Sequence, residues 1–168
     1  EVNYMRNSVK ATVDAYDGSV DLYTWDDSDP VLKAWQSIFP GQYHPMSEIS
    51  GDLMAHMRYP EGMFKVQRQL LAKYHVTSAS QFFSGEDFWQ TPVDPTESKS
   101  EQSRDVLQPP YYLTLQTGGS DEPVFSLTST YIPAGSSTRE ILTGFLSVDS
   151  DAGRTKGVRG PDYGTIRL

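Results

Sequence analysis

Histidine titrates nearest neutrality and is the commonest metal ligand, so the three imidazoles His44, His56 and His75 come first. A zinc site of histidines and carboxylates wants two ligands one helical turn apart, as in H-E-x-x-H; these three lie 12 and 19 residues apart. His56 flanks an apolar helical pattern and reads as a hydrogen-bonded structural side chain. His75 closes another such pattern, where a cation is favoured. No catalytic residue is assigned, but a general acid–base site would first use His56 and Glu61, which sit on either side of Pro60. No G-x-S-x-G elbow is present, and the absence of cysteine removes thiol nucleophiles, disulfides and every Cys-containing metal site.

Oxygen ligands are concentrated in two runs. Asp26, Asp27 and Asp29 surround Ser28, and Asp149 and Asp151 surround Ser150. A hard cation such as calcium takes ligands of this kind, although neither run continues to the distal Glu of a twelve-residue calcium loop. Helix capping accounts for the first run and a strand-ending turn for the second. The expectation is therefore no cofactor, with calcium the one ion these residues would suit. The segment GRTKGVRG, residues 153–160, lacks the GK[ST] ending of a phosphate loop and reads as a basic surface loop that can meet anionic groups.

The 168 residues carry 14 Lys+Arg against 22 Asp+Glu, a net charge of −8 with a pI near 4.7. Such a field opposes polyanions, so nucleic acid is not an expected partner. A chain of this length buries roughly 70% of its unfolded surface and can hold a core without staples. No apolar run reaches the length needed to span a bilayer.

The elements that must position these residues begin with a hairpin. Val9, Ala11, Val13 and Ala15 alternate with Lys10, Thr12, Asp14 and Tyr16, and Asp17-Gly18 turns the chain into Val20, Leu22, Tyr23 and Trp25. Ser28 or Asp29 can cap a helix that Pro30 opens, and Val31, Leu32, Trp35, Ile38 and Phe39 form its apolar stripe. Ser47 opens a second helical pattern through Ile49, Leu53, Met54 and Met57. A third starts at Pro60, with Met63, Val66, Leu70, Leu71 and Tyr74 on one face and Lys65, Arg68, Gln69 and Lys73 on the wet side. A short turn around 79–83 and the aromatics Phe82, Phe83, Phe88 and Trp89 cap the core.

Residues 91–110 form a long polar, Pro- and Ser-rich connection. Alternation then resumes. Tyr111, Leu113 and Leu115 share one face; after Gly118-Gly119, Phe125, Leu127 and Tyr131 share another, with Ser126, Thr128 and Thr130 on the wet side. Further strands run over 140–148 and through YGTIRL. These patterns predict one α+β domain over 1–168. It has an antiparallel sheet, built from the N-terminal hairpin and the C-terminal strands, with about three helices mainly on one face.

The runs RNSVKATVDAYDGSVDLYTWDDSDPVLKAWQSIFPG, RYPEGMFKVQRQLLAKYHV, FFSGEDFWQTPVDP, QPPYYL and FSLTSTYIP closely resemble an uncharacterised family of large multi-pass bacterial membrane proteins, common in actinobacteria. The likeness covers nearly the whole chain and departs from the family around YIPAGSSTREIL. It implies a soluble piece of a long extracytoplasmic region, held at the cell membrane by transmembrane helices outside this sequence. It carries over no site residues. The resulting expectation is a non-catalytic interaction or ligand-sensing module whose partner is a protein, an envelope polymer or a small ligand. A cell-envelope hydrolase or transferase is the first alternative and a structural spacer the second.

Overall fold

The computed structural model describes residues 3–96, 106–116, 121–135 and 141–168. The centre of the polar connection, the Gly118-Gly119 turn and the start of the strand expected at 140 lie outside the described residues. The described chain has helices and mostly antiparallel strands, the α+β class expected, with four α-helices where about three were predicted. The strands form two sheets rather than one, and the chain gathers into two compact units, Glu1–Met63 with Asp151–Tyr163, and Phe64–Ser150 with Gly164–Leu168.

In the first unit β1 (Val9–Val13) and β2 (Val20–Thr24) make the predicted hairpin, Val9 opposite Thr24 and Val13 opposite Val20. Gly18 takes the positive φ of 75° that its turn requires. Val9 is partly covered, but beyond it the sheltered residues belong to the other face: Lys10 and Thr12 are partly covered, whereas Ala11, Val13 and Ala15 are exposed. β3 (Tyr43–His44), two residues that no periodicity can announce, joins β2 in parallel. α1 (Pro30–Ile38) starts as the sequence indicates, with Asp29 accepting from the Val31 N–H at 2.9 Å and Pro30 in the first turn.

The single helix expected after Ser47 is split into a 3-10 turn, Met46–Glu48, and α2 (Gly51–Met54). The loop 151–163 is the cause. The Gly157 N–H donates to the Ile49 carbonyl at 2.9 Å, which denies that carbonyl to a helix, and a Cβ on Gly51 would fall 2.4 Å from the Arg154 carbonyl oxygen. Ser50 recaps the chain by accepting from the Leu53 N–H at 3.1 Å. Trp25, Ile49, Met54, Met57 and Ala152 make the core of this unit, with Tyr23, Met46, Leu53 and Tyr163 packed on it.

Most of α3 (Glu61–Tyr74) belongs to the second unit, followed by α4 (Ala79–Ser84). β4 (Trp89–Gln90), β5 (Tyr111–Leu115), β6 (Val124–Pro133), β7 (Gly144–Asp149) and β8 (Ile166–Arg167) form its antiparallel sheet. β6 is central, with β7 along one edge and β4 and β5 along the other. The ends of the polar connection are tied together by a Val93–Leu107 bridge, with Asp94 N–H on the Val106 carbonyl at 2.8 Å.

One predicted face is reversed here, on α3, and β6 is covered on both faces where one was read as wet. α3 buries Phe64, Arg68 and Ala72 and exposes Val66, Leu70 and Tyr74. Arg68 can be buried because its Nη1 reaches the Gln108 carbonyl at 2.9 Å and Ser129 Oγ at 3.1 Å, while Tyr131 donates its hydroxyl to the Arg68 carbonyl at 2.8 Å. Burial pushes the Tyr131 hydroxyl up to about 12, with Arg68 opposing. The Ser126, Thr128 face of β6, read as wet, is fully covered, as are its neighbours Ser147 and Asp149 on β7. Arg167 of β8 closes onto Asp149 Oδ1 at 2.5 Å.

Candidate functional site

The residues singled out for chemistry are mostly held by the fold itself. Asp26 accepts from the Ser28 N–H at 2.9 Å and hydroxyl at 2.6 Å, and its second oxygen pairs with Arg6. Asp29 is buried and accepts from Ser8 Oγ, from Tyr4 at 2.6 Å and from the Val31 N–H at 2.9 Å. The hydrogen bonds from Ser8 and Tyr4 outweigh desolvation and hold its carboxyl down at about 2. Its stabilising effect is therefore present above pH ~4 and lost as the pH falls toward 2.

Asp27 is exposed; Asp149 is taken by Arg167; Asp151 accepts from the Gly153 N–H at 2.8 Å in a local turn. Among the described residues no group of three or more His, Asp and Glu could hold a metal ion. His56 is exposed, with Nδ1 2.7 Å from the Asp52 carbonyl oxygen, and Glu61 lies exposed in the first turn of α3. His44 faces Glu48 at 2.9 Å, and both ring nitrogens of His75 face carbonyls, of Leu71 at 2.8 Å and of Asp87 at 3.1 Å.

Two hollows offer binding surface. The second unit has a groove of about 530 Å³ between α3 and β4, in which Leu70, Tyr74, Trp89 and Leu107 supply apolar walls and Gln69 and Gln90 amides. Trp89 is fixed in it, stacked on His75 at 3.5 Å and so close to Gly144 that a Cβ there would sit 2.5 Å from the ring. That size and mixture are typical of small-molecule clefts.

The first unit carries a hollow of about 390 Å³ beside α1, lined by Tyr4, Met5, Val31, Trp35 and Tyr43, with Arg6 and Asp29 at its polar side. It continues into an exposed apolar face. Of the predicted α1 stripe only Leu32 is buried; Val31 is 44% exposed, Trp35 48%, Ile38 62% and Phe39 47%. Trp35 and Phe39, one turn apart, stack at 5.7 Å and nearly parallel. The signal for this surface was in the sequence, as the stripe itself. Periodicity says that an apolar face exists and is silent on what covers it.

Comparison with known proteins places the chain in a family. The model of an uncharacterised protein family, UPF0182, matches residues 1–168, and the chain belongs to that family. It is 84% identical to a UPF0182 protein of Bifidobacterium adolescentis over 166 residues, covering 99% of this chain and 15% of that protein. It is 80% identical to one of Bifidobacterium longum over 168 residues, 100% of the chain and 16% of the relative, and 58% identical to one of Kineococcus radiotolerans over 170 residues, 99% and 17%. The chain thus spans about one sixth of the length of these relatives. No solved structure matches it. Among the described residues no helix is long and apolar enough to cross a membrane.

Proposed function

We propose that this chain is a non-catalytic interaction module on the extracytoplasmic side of a multi-pass membrane protein, and that the apolar face of α1 docks onto another part of the same longer protein. The observation that carries the reading is that face. Val31, Trp35, Ile38 and Phe39 project from one short helix, with Tyr4 and Met5 alongside, all six 44–62% exposed. A grouping of that kind marks an interaction surface rather than scattered surface apolar residues. An intramolecular occupant is favoured because about five sixths of each compared relative lies outside the matched region. A docking segment on the same chain also acts at a high effective concentration.

Hydrogen exchange on the longer protein tests this. The α1 amides are expected to be protected, and Trp35→Asp with Phe39→Asp to remove that protection while β6 and β7 exchange as before. Identical α1 exchange in the two proteins contradicts the reading.

A second reading, a small ligand held in the groove, rests on the seating of Trp89 and the amides beside it. Its ligand would be part apolar, stacking or packing on Tyr74 and Trp89, with Lys73 also in the lining. Titration of small neutral saccharides against Trp89 fluorescence, with Tyr74→Ala as the variant, separates it from the docking reading.

A further inference from the structure

The sheltered face of β1 brings a lysine into the aromatic side of the first unit. Lys10 Nζ donates to the Arg58 carbonyl at 2.7 Å and to the Tyr163 hydroxyl at 3.1 Å, and lies 5.0 Å from the centre of the Trp25 ring. The Tyr163 hydroxyl also receives Asn7 at 3.2 Å and itself donates to the Arg58 carbonyl at 2.9 Å. Its oxygen is therefore fully used by groups of the protein. The loop 151–163 brings a second cation to the same two rings, the Arg159 guanidinium lying 5.7 Å from Trp25 and 6.0 Å from Tyr163.

We propose that Lys10 and Arg159, held over the Trp25 and Tyr163 rings, form a binding site for a dianionic phosphate group. Three features of the cluster support this, and the first is charge. Two cations share one aromatic pair, and neither Lys10 nor Arg159 has a carboxylate within ion-pair distance among the described residues. Burial, and then the charge of Arg159, bring Lys10 down to about 8, so the pair is kept together at a cost that no acid among the described residues offsets.

The second feature is the donor inventory. Lys10 has three N–H groups and uses two within the described residues, and Arg159 makes no hydrogen bond to described residues. The cluster has donors in surplus and no free acceptor, which selects an anion over a cation or an uncharged hydroxyl compound. A charge of about +2 selects a phosphate monoester or inorganic phosphate, each close to −2 near neutral pH, over a carboxylate.

The third is placement. Arg159 is exposed while Lys10 is partly covered, so the pair reaches from solvent inward. Its loop is held by the protein, the Gly157 N–H on the Ile49 carbonyl and the Gly160 N–H on the Ala152 carbonyl, both 2.9 Å. This is the basic segment that lacks a phosphate-loop motif. It supplies a guanidinium where a phosphate loop supplies backbone N–H groups.

Calorimetric titration of the protein at pH 7.5 with inorganic phosphate, glycerol 3-phosphate and acetate tests the site. Saturable binding of at least one of the two phosphates is expected, weakened about tenfold or more, or ~1.4 kcal/mol, by Arg159→Gln and by Lys10→Met, and unchanged by Lys33→Gln on α1. Arg159 is exposed, so its variant keeps the fold even where the Lys10 variant does not. Binding of inorganic phosphate alone identifies a free-anion site, and binding of glycerol 3-phosphate identifies one that takes the head of a larger molecule. No binding of either phosphate overturns the proposal, as does binding that survives Arg159→Gln or an equal affinity for acetate.

Discussion

The two units differ in how they hold their charged side chains. In the second, Ser126, Thr128, Ser147 and Asp149 sit on one face of β6 and β7, all at most 2% exposed, and Arg167 closes onto the carboxylate. In the first, Lys10 and Arg159 share aromatic rings without a counter-charge, and α1 turns Trp35, Ile38 and Phe39 outward. The second unit pairs its buried carboxylate, while Ser147 Oγ and Asp149 Oδ2 have no hydrogen-bond partner among the described residues and Leu70, Tyr74 and Phe83 stay exposed. The first leaves Lys10 and Arg159 without a carboxylate partner among the described residues and a helix face uncovered, and unmet requirements of that kind are where binding energy is available. The contrast is one of charge, closed in the second unit and open in the first, and it supports the proposed anion site in the first.

The sharpest way to break the contrast is to open what the second unit closes. Asp149→Ala leaves Arg167 without its carboxylate in a largely buried setting and is expected to lower stability by about 3 kcal/mol, read from urea melts. An effect below ~0.5 kcal/mol would show that the pair is not a closure at all.

Lys10 supplies the next largest effect, on the opposite side of the comparison. Its folded value of about 8 lies below the ordinary 10.5. Between these values the unfolded chain binds more protons, so stability rises as the pH is raised from 8 to 10.5. A gain of about 2 kcal/mol is expected after allowing for partial exposure, and Lys10→Met should flatten it. A flat wild-type profile over that range would place Lys10 in water.

Gly144→Ala pushes a methyl into the Trp89 ring and is expected to cost about 1–2 kcal/mol, with a change in Trp89 fluorescence. Smallest of all, Trp35→Ser and Ile38→Ser should each change the stability of this chain by no more than about 1 kcal/mol, since each side chain is only partly covered within it. A loss of 2 kcal/mol or more from either would mean that α1 is core, and the open helix face of the first unit would drop out of the comparison.

Local signals were readable wherever the chain itself satisfies them. Asp29 and Pro30 announce α1, Asp17-Gly18 the hairpin and Pro60 the start of α3, because caps and turns are settled within a few residues. Which face of an element is covered depends on its neighbours, and there the pattern misleads. On α3 the large apolar residues Val66, Leu70 and Tyr74 face outward. Small Ala72 lies inward, and Arg68 is tolerated inside because Gln108 and Ser129 accept from it across 40 and 61 residues of chain. The division of the Ser47 helix has the same origin, since the loop that claims the Ile49 carbonyl arrives more than 100 residues later. Lys10 was assigned to the wet face of a strand, and its place in the phosphate site could not be read until Tyr163 and Arg159 were brought beside it.

Docking of α1 is tested most directly by a single reporter thiol in the longer protein, made cysteine-free elsewhere; this part contributes no cysteine of its own. Ile38→Cys places the thiol on the apolar face, and Asp17→Cys places a control in the exposed hairpin turn of the same unit. Alkylation at position 38 is expected to be about tenfold slower or more than at position 17, the protection that ~1.4 kcal/mol of docking provides. Equal rates at the two positions would show the face of α1 open to solvent in the longer protein and would contradict the account.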